Sequence, residues 1–308
     1  MITRPTVLVL GAGASAPYGF PTGGEILNQL RDMPDQWRNP IAPECGWARE
    51  VHDALIEFLY NSGVFSIDAI AGHRKDIEPY AKGATAYLVS RQEKERPVLQ
   101  AGKQSDWLKY LHNLMFTTPS GTDPLRPVPL KVITYNHDRS FEFATVRRAT
   151  TIYGSAENAK LKLSQMRVLH VHGSIGPLKH WDTAEPHIPF DSPMNSALIK
   201  TVWPRIKFIH EQNENSPEFR EAQDILQWAH VVIFLGCGMH EENVKRLRPE
   251  IWTVDQNRPP RVFVCAKDLT RGTVLKAKNL LGSVRGVQVL DTGLDALGAL
   301  HELEHEFS

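Results

Sequence analysis

Short apolar runs, each closed by small or polar residues, recur along the chain, and the stretches between them place apolar residues at helical spacing. Val7–Leu10 is the first run, and it stops at Gly11-Ala12-Gly13. An aliphatic, β-branched run bounded by glycine reads as a buried strand of a parallel sheet. Leu130–Tyr135, Arg167–Val171, Val231–Leu235, Arg261–Ala266 and Val287–Leu290 read the same way. Helical spacing predicts helices over Glu50–Tyr60, Ser66–Ile77, Ala81–Val89, Trp107–Met115, Arg139–Arg148, Leu269–Leu281 and Leu294–Phe307. Met194–Asn213 is expected to be mostly helical with a break near Pro204, and Ser216-Pro217-Glu218 opens the helix that follows.

The first strand leads into an unusual connection. Gly11-x-Gly13-x-x-Ala16 meets the loose glycine fingerprint of dinucleotide-binding turns. Pro17, Gly19 and Pro21 then follow within a few residues, and a proline pushes its predecessor toward extended backbone. An ordered loop with Ala16 and Phe20 extended is therefore expected before the next helix. That helix starts at the capping box Thr22-x-x-Glu25 and buries Ile26, Leu27 and Leu30.

Strands separated by helices predict an α/β architecture: a Rossmann-like parallel sheet with helices on both faces. Residues 32–116 break the alternation and read as a helical insertion after the first strand, within a single domain spanning 1–308. Arg91–Arg96 reads as a solvated helix end, Thr117–Pro129 as a linker back to the sheet, and Ile175–Pro193 as an irregular loop.

Composition narrows the function classes. The 308 residues carry 35 basic and 35 acidic side chains, so zero net charge gives no reason to expect nucleic acid or an anionic membrane as partner. No apolar stretch is long enough to span a bilayer, and MITRPT leads straight into the first strand without a signal-peptide core. Cys45, Cys237 and Cys265 are far apart, which suggests neither a zinc knuckle nor a disulfide framework, and a reducing cytoplasm is the expected location. His180, His187 and Asp191 lack ligand spacing and read as surface loop, so no metal is expected. Trp181 and Trp203 read as packing or lid residues.

The chemistry of such sheets sits at the carboxyl ends of the strands. Four strands here end in small or polar clusters: Gly11-Ala12-Gly13, Asn136-His137-Asp138, His172-Gly173-Ser174 and Gly236-Cys237-Gly238. Together with Gly19-Phe20-Pro21, the GAGAS stretch at Gly11–Ser15 and TYNHD at Thr134–Asp138, these clusters resemble the sirtuin family in order and spacing over nearly the whole chain. The chain lacks the paired C-x-x-C zinc module of the family's lysine deacylases, and it carries a helical insertion instead. In this it is similar to the bacterial sirtuin-like group that hydrolyses NAD in anti-phage defence. It departs from the family in the GCG turn, where a serine is often found, and in His137.

The resemblance implies that NAD is bound as substrate by Gly11, Ala12, Gly13, Ser15, Phe20, Pro21, Thr22, Gly173, Gly236, Cys237 and Gly238, with Asn136, Asp138 and His172 acting at the nicotinamide ribose. The residues suit these roles. An asparagine amide both donates and accepts. A histidine titrates near neutrality. Backbone amides of the glycine turn, with Ser15, would hold phosphate. Plainer readings stand beside these. Asn136 is a turn former, Asp138 a cap for the helix from Arg139, and Cys237 a small packing residue. His170 is assigned as a buried, hydrogen-bonded histidine and His172 as the base, because only His172 directly precedes a glycine at its strand end.

The implied activity is NAD glycohydrolysis to nicotinamide and ADP-ribose or a cyclic isomer. A zinc-free NAD-dependent deacylase or ADP-ribosyltransferase, and a non-catalytic nucleotide-sensing subunit, are the alternatives. A homo-oligomer, or a complex with a partner such as an ATPase or a phage-sensing subunit, is expected to hold such an activity in check. Leu294, Leu297, Leu300, Leu303 and Phe307 form an apolar face that either docks a partner or closes the last crossover; closure is the favoured reading.

Overall fold

The computed structural model describes residues 1–63, 73–100, 106–118, 120–178, 186–252, 259–267, 269–282, 287–290 and 293–308. Six parallel strands form one sheet: β1 (Thr6–Leu10), β2 (Leu130–Thr134), β3 (Arg167–His170), β4 (Val231–Leu235), β5 (Arg261–Val264) and β6 (Val287–Val289), in the order β3-β2-β1-β4-β5-β6. The chain builds outward from β1 through β2 to β3, then returns to lay β4 against the other edge of β1. Leu10 consequently stands level with Thr134 on one side and Leu235 on the other. This reversal of direction opens a crevice at the carboxyl ends of β1 and β4.

Alternation along each strand supplies two cores. Leu8, Leu10, Val132, Ile233 and Phe263 face one side, while Val7, Val9, Ile133, Phe234 and Val264 face the other. The second face is covered by the helices Pro217–Trp228 and Arg271–Leu280 through Phe219, Leu226 and Ala277. The first face receives the helices that follow β1: Gly23–Arg31, Arg49–Asn61, Glu78–Gln92 and Trp107–Phe116. Their side chains join the same apolar cluster as the sheet, with Leu55, Trp107 and Leu111 fully buried. The fold is thus α/β and Rossmann-like. Among the described residues, no helix is long and apolar enough to cross a membrane.

Several local expectations are overturned. The chain does not run on as a loop after the glycines. A helical turn, Ala12–Ser15, starts at once and continues as a 3-10 turn over Ala16–Tyr18. Ala16 is helical (φ −55°, ψ −40°) because Pro17 occupies the first turn, where its missing N–H costs nothing. Gly19, at φ 89°, then ends the turn, and the capping box at Thr22 starts the next helix with Thr22 N donating to Glu25 at 2.7 Å. Arg91–Arg96 is the exposed end of the helix Glu78–Gln92 except at Glu93, which is almost fully buried against Arg139.

Met194–Asn213 holds one short helix, Ser196–Val202, and 3-10 turns at Trp203–Arg205 and Ile209–Glu211, so little of it is regular helix. The C-terminal helix is shorter than its pattern, Ala296–Glu302 with a 3-10 end. Its Leu300 and Leu303, with Phe307, are buried inside this chain and close the fold, while Leu294 and Leu297 are partly buried. The helix expected over Ser66–Ile77 falls largely, and His180 and Trp181 wholly, outside the described residues.

Candidate functional site

The crevice at the β1/β4 reversal is a cleft of about 820 Å³, within the size range of small-molecule sites. It collects the predicted residues from distant parts of the chain. Gly11, Ala12 and Gly13 line it from β1, with Phe20, Pro21 and Thr22 above them. Asn136 and Asp138 enter from β2, His172 from just beyond β3, and Gly236, Cys237 and Gly238 from β4. Ser15 and Gly173 do not line it. Ser15 lies behind Asn136, and Gly173 forms the turn under Arg205, where a Cβ would meet the Arg205 carbonyl at 1.8 Å.

The two glycine turns pack on each other more than they open toward a ligand. Gly11 N donates to the Leu235 carbonyl and Gly13 N to the Gly236 carbonyl, both at 3.0 Å. These amides are therefore committed within the chain, and the expected phosphate cradle from Gly11 and Gly13 amides is not formed. Bare backbone is what lets the turns touch. A Cβ on Gly236, which sits at φ 62°, would lie 2.0 Å from Ala14 N, and one on Gly11 would lie 2.5 Å from the Gly236 carbonyl. Cys237 Sγ donates to the Val9 carbonyl at 3.3 Å, and burial pushes its thiol pKa far up, so it packs and does not attack.

Asn136 is fixed from three sides. Its backbone N donates to Thr134 Oγ1 at 3.0 Å, and its side-chain Nδ2 donates to the Gly11 carbonyl and to Ser15 Oγ, both at 3.0 Å. Both amide hydrogens are spent on β1 and its turn, which leaves Oδ1 as the atom Asn136 can offer as an acceptor. Asp138 lies alongside, buried, accepting the backbone N of Ser140 at 3.1 Å as well as the Ser140 hydroxyl, which caps the helix Ser140–Tyr153. Burial raises its pKa, against the opposing pull of the Ser140 and Ser15 hydroxyls.

Beneath them, His170 places Nδ1 2.7 Å from the Asn136 carbonyl and Nε2 2.6 Å from Glu142 Oε1. Burial works against charge on this ring, but Glu142, the Asn136 carbonyl and Asp138 outweigh it, so its pKa is raised. His170 thus props Asn136 from below, with a raised pKa and an acceptor at each ring nitrogen. His137 Nδ1 lies 3.0 Å from the Gly173 carbonyl and ties this loop to the next.

His172 is held differently. Its carbonyl accepts Lys207 N at 2.9 Å. Its ring lies near Tyr135 and edge-on to Phe219, with Nδ1 2.7 Å from Gln212 Oε1 and Nε2 3.2 Å from Asn243 Oδ1. Gln212 belongs to a strap over 203–216 whose Lys207, Phe208 and Ile209 line the cleft. Lys82 clamps this strap to the insertion, reaching Glu78 at 2.8 Å and Glu211 at 2.6 Å. His210 stands with Glu78 and Glu211 in one cluster, whose carboxylates already hold the Lys82 ammonium.

Sequence reasoning missed Gln212, Asn243 and the buried pair Glu93–Arg139. Arg139 directly follows Asp138. It is fully buried, pairs with both Glu93 oxygens and donates to the Gly176 and Ile188 carbonyls at 3.1 and 2.6 Å. Burial raises the Glu93 pKa against the pull of Arg139. Through this pair the insertion grips the root of the Asn136–Asp138 loop. Trp107 adds a second grip, its Nε1 donating to the Ala14 carbonyl at 2.7 Å. The position of Arg139 next to the TYNHD stretch was the one signal for the pair; Gln212 and Asn243 carried none.

No protein-family model matches this chain, and no curated protein matches it either.

Proposed function

We propose that the chain is a sirtuin-like NAD glycohydrolase. One observation carries the reading. Asn136, Asp138 and His172, from two different strand ends, meet the glycine turns of β1 and β4 in a single cleft at the reversal of strand order. In this reading NAD lies across β1 and β4, with its nicotinamide ribose toward Asn136 and His172. The N-glycosyl bond breaks, and its electron pair leaves with nicotinamide. The oxygen of a water bonds the anomeric carbon, and the water's proton passes to His172. Asn136 Oδ1 accepts from a ribose hydroxyl or from that water, and the buried Asp138 holds Ser15 and Ser140 in register behind it. The apolar walls, Phe20 and Phe208 among them, exclude bulk water from a cation-like ribose.

The resemblance carries the proposal further, to a regulated NAD-depleting effector of bacterial anti-phage defence, active in the cytoplasm as an oligomer or with a partner. Incubating the purified chain with NAD, with and without an acyl-lysine peptide, tests it. Nicotinamide release without peptide is expected. A strict requirement for peptide would replace glycohydrolysis with deacylation or ADP-ribosyl transfer, and tight binding without turnover would replace it with nucleotide sensing.

A further inference from the structure

We infer that Gln212 is a positioning residue that fixes the tautomer of His172. The inference rests on the reading of His172 as the base. Gln212 Nε2 donates to the Val171 carbonyl at 2.6 Å and lies 3.4 Å from the Glu218 carboxylate. Neither partner has a hydrogen to give, so the amide cannot turn over without setting its oxygen against theirs. Its Oε1 therefore faces His172 Nδ1 at 2.7 Å, and an amide oxygen there demands an N–H. A neutral imidazole carries one N–H. With Nδ1 holding it, Nε2 is the proton-accepting atom.

Nε2 in turn meets Asn243 Oδ1 at 3.2 Å, so the ring as placed has an amide oxygen at each nitrogen, and both His172 and Asn243 line the cleft. The oxygen seen there suits the protonated ring; turning the Asn243 amide over would present its NH2 to the neutral ring with Nδ1 protonated. The pair divides the labour: Gln212 fixes which nitrogen reacts, and Asn243 follows the proton. Gln212 and Asn243 are both buried, and neither carries charge. Gln212 reaches the ring from the 203–216 strap, which Lys82 ties to Glu211, one residue before it. The geometry of the base thus depends on the insertion as well as on the sheet.

The test is long-range ¹H–¹⁵N correlation of the His172 ring in the full chain, assigned by comparison with His172→Ala, above the ring's titration. The Nδ1–H tautomer is expected in the wild type, and Gln212→Met is expected to shift the ring toward Nε2–H. NAD turnover should fall about tenfold to a hundredfold in that variant, less than for loss of the base itself, with little change in KM. An Nε2–H ring in the wild type, or an unchanged tautomer in Gln212→Met, would overturn the assignment.

Should Gln212→Met fail to fold, Gln212→Glu serves. A carboxylate at Nδ1 should raise the midpoint of the His172 titration by about one unit or more, with Glu218 and Tyr135 left in place. An unmoved midpoint would refute the contact. A wild-type chain that shows the Nδ1–H ring but never turns over NAD would refute the glycohydrolase reading while supporting the tautomer assignment.

Discussion

Two histidines two residues apart sit in opposite kinds of company. His170 faces a carboxylate and a carbonyl, acceptors that hold it charged. His172 faces two carboxamides, Gln212 and Asn243, neither of which carries a charge. The first arrangement spends a titratable group on rigidity, propping the Asn136 loop. The second keeps a titratable group able to cycle. The difference follows from what each neighbour carries, since both rings leave the same stretch of chain and are mostly buried.

The contrast can be broken in order of expected effect. His172→Ala should lower NAD turnover by roughly 10²–10⁴-fold, the range for a positioned acid–base group, with little loss of affinity. Turnover surviving within about threefold would remove His172 as the base and move attention to Asp138 or to a water held by Asn136. His170→Ala should act on the other quantity. It leaves Glu142 buried without its partner and should cost about 3 kcal/mol of stability, read by denaturant unfolding. An unchanged midpoint there would mean that the strut is idle.

Asn136→Ala should fall between the two. Turnover should drop about tenfold or more while NAD affinity changes less, because both amide hydrogens serve the loop and only Oδ1 faces outward chemistry. An equal loss in both would recast it as a binding residue.

The smallest effect is on pH. The raised pKa of His170 means that its pairing stabilises the fold fully below the unfolded histidine value of about 6.5 and is lost as pH rises through the folded value. The melting-temperature gap between wild type and His170→Gln should therefore narrow from about pH 6 to pH 9. A gap that widened would reverse the assignment of charge.

Much of this was legible beforehand, for a physical reason. A strand buried on both faces must be apolar throughout, so Val7–Leu10 and Val231–Leu235 stand out, and the polar or glycine cluster after each marks the end where ligands bind. What stayed hidden depends on partners far away in sequence. Glu93 lies in a charged run that reads as solvated until Arg139 is brought to it. Gln212 is a polar residue in an irregular stretch, with no period to betray that it touches His172. Gly11 and Gly13 were legible as glycines but not in their reason, since the neighbour that forbids a side chain is another turn, at Gly236. Pro17 misled through its local preference, which the first helical turn satisfies without strain.

The central place of β1 also sets a clock. Its partners in the sheet begin at Leu130 and Val231, so Thr6 waits for more than two hundred residues to be made before both edges are covered. At ribosomal speeds of about 5–20 residues per second, that delay is roughly ten to forty-five seconds. Until Leu130–Thr134 emerges, a strand apolar on both sides has no sheet to enter, and its β4 edge stays open until Val231–Leu235 is made. The cleft needs β1, β2 and β4 together, so it closes late, after most of the chain has emerged. A nascent chain still short of Val231 carries no assembled site, whatever the finished protein does to its substrate.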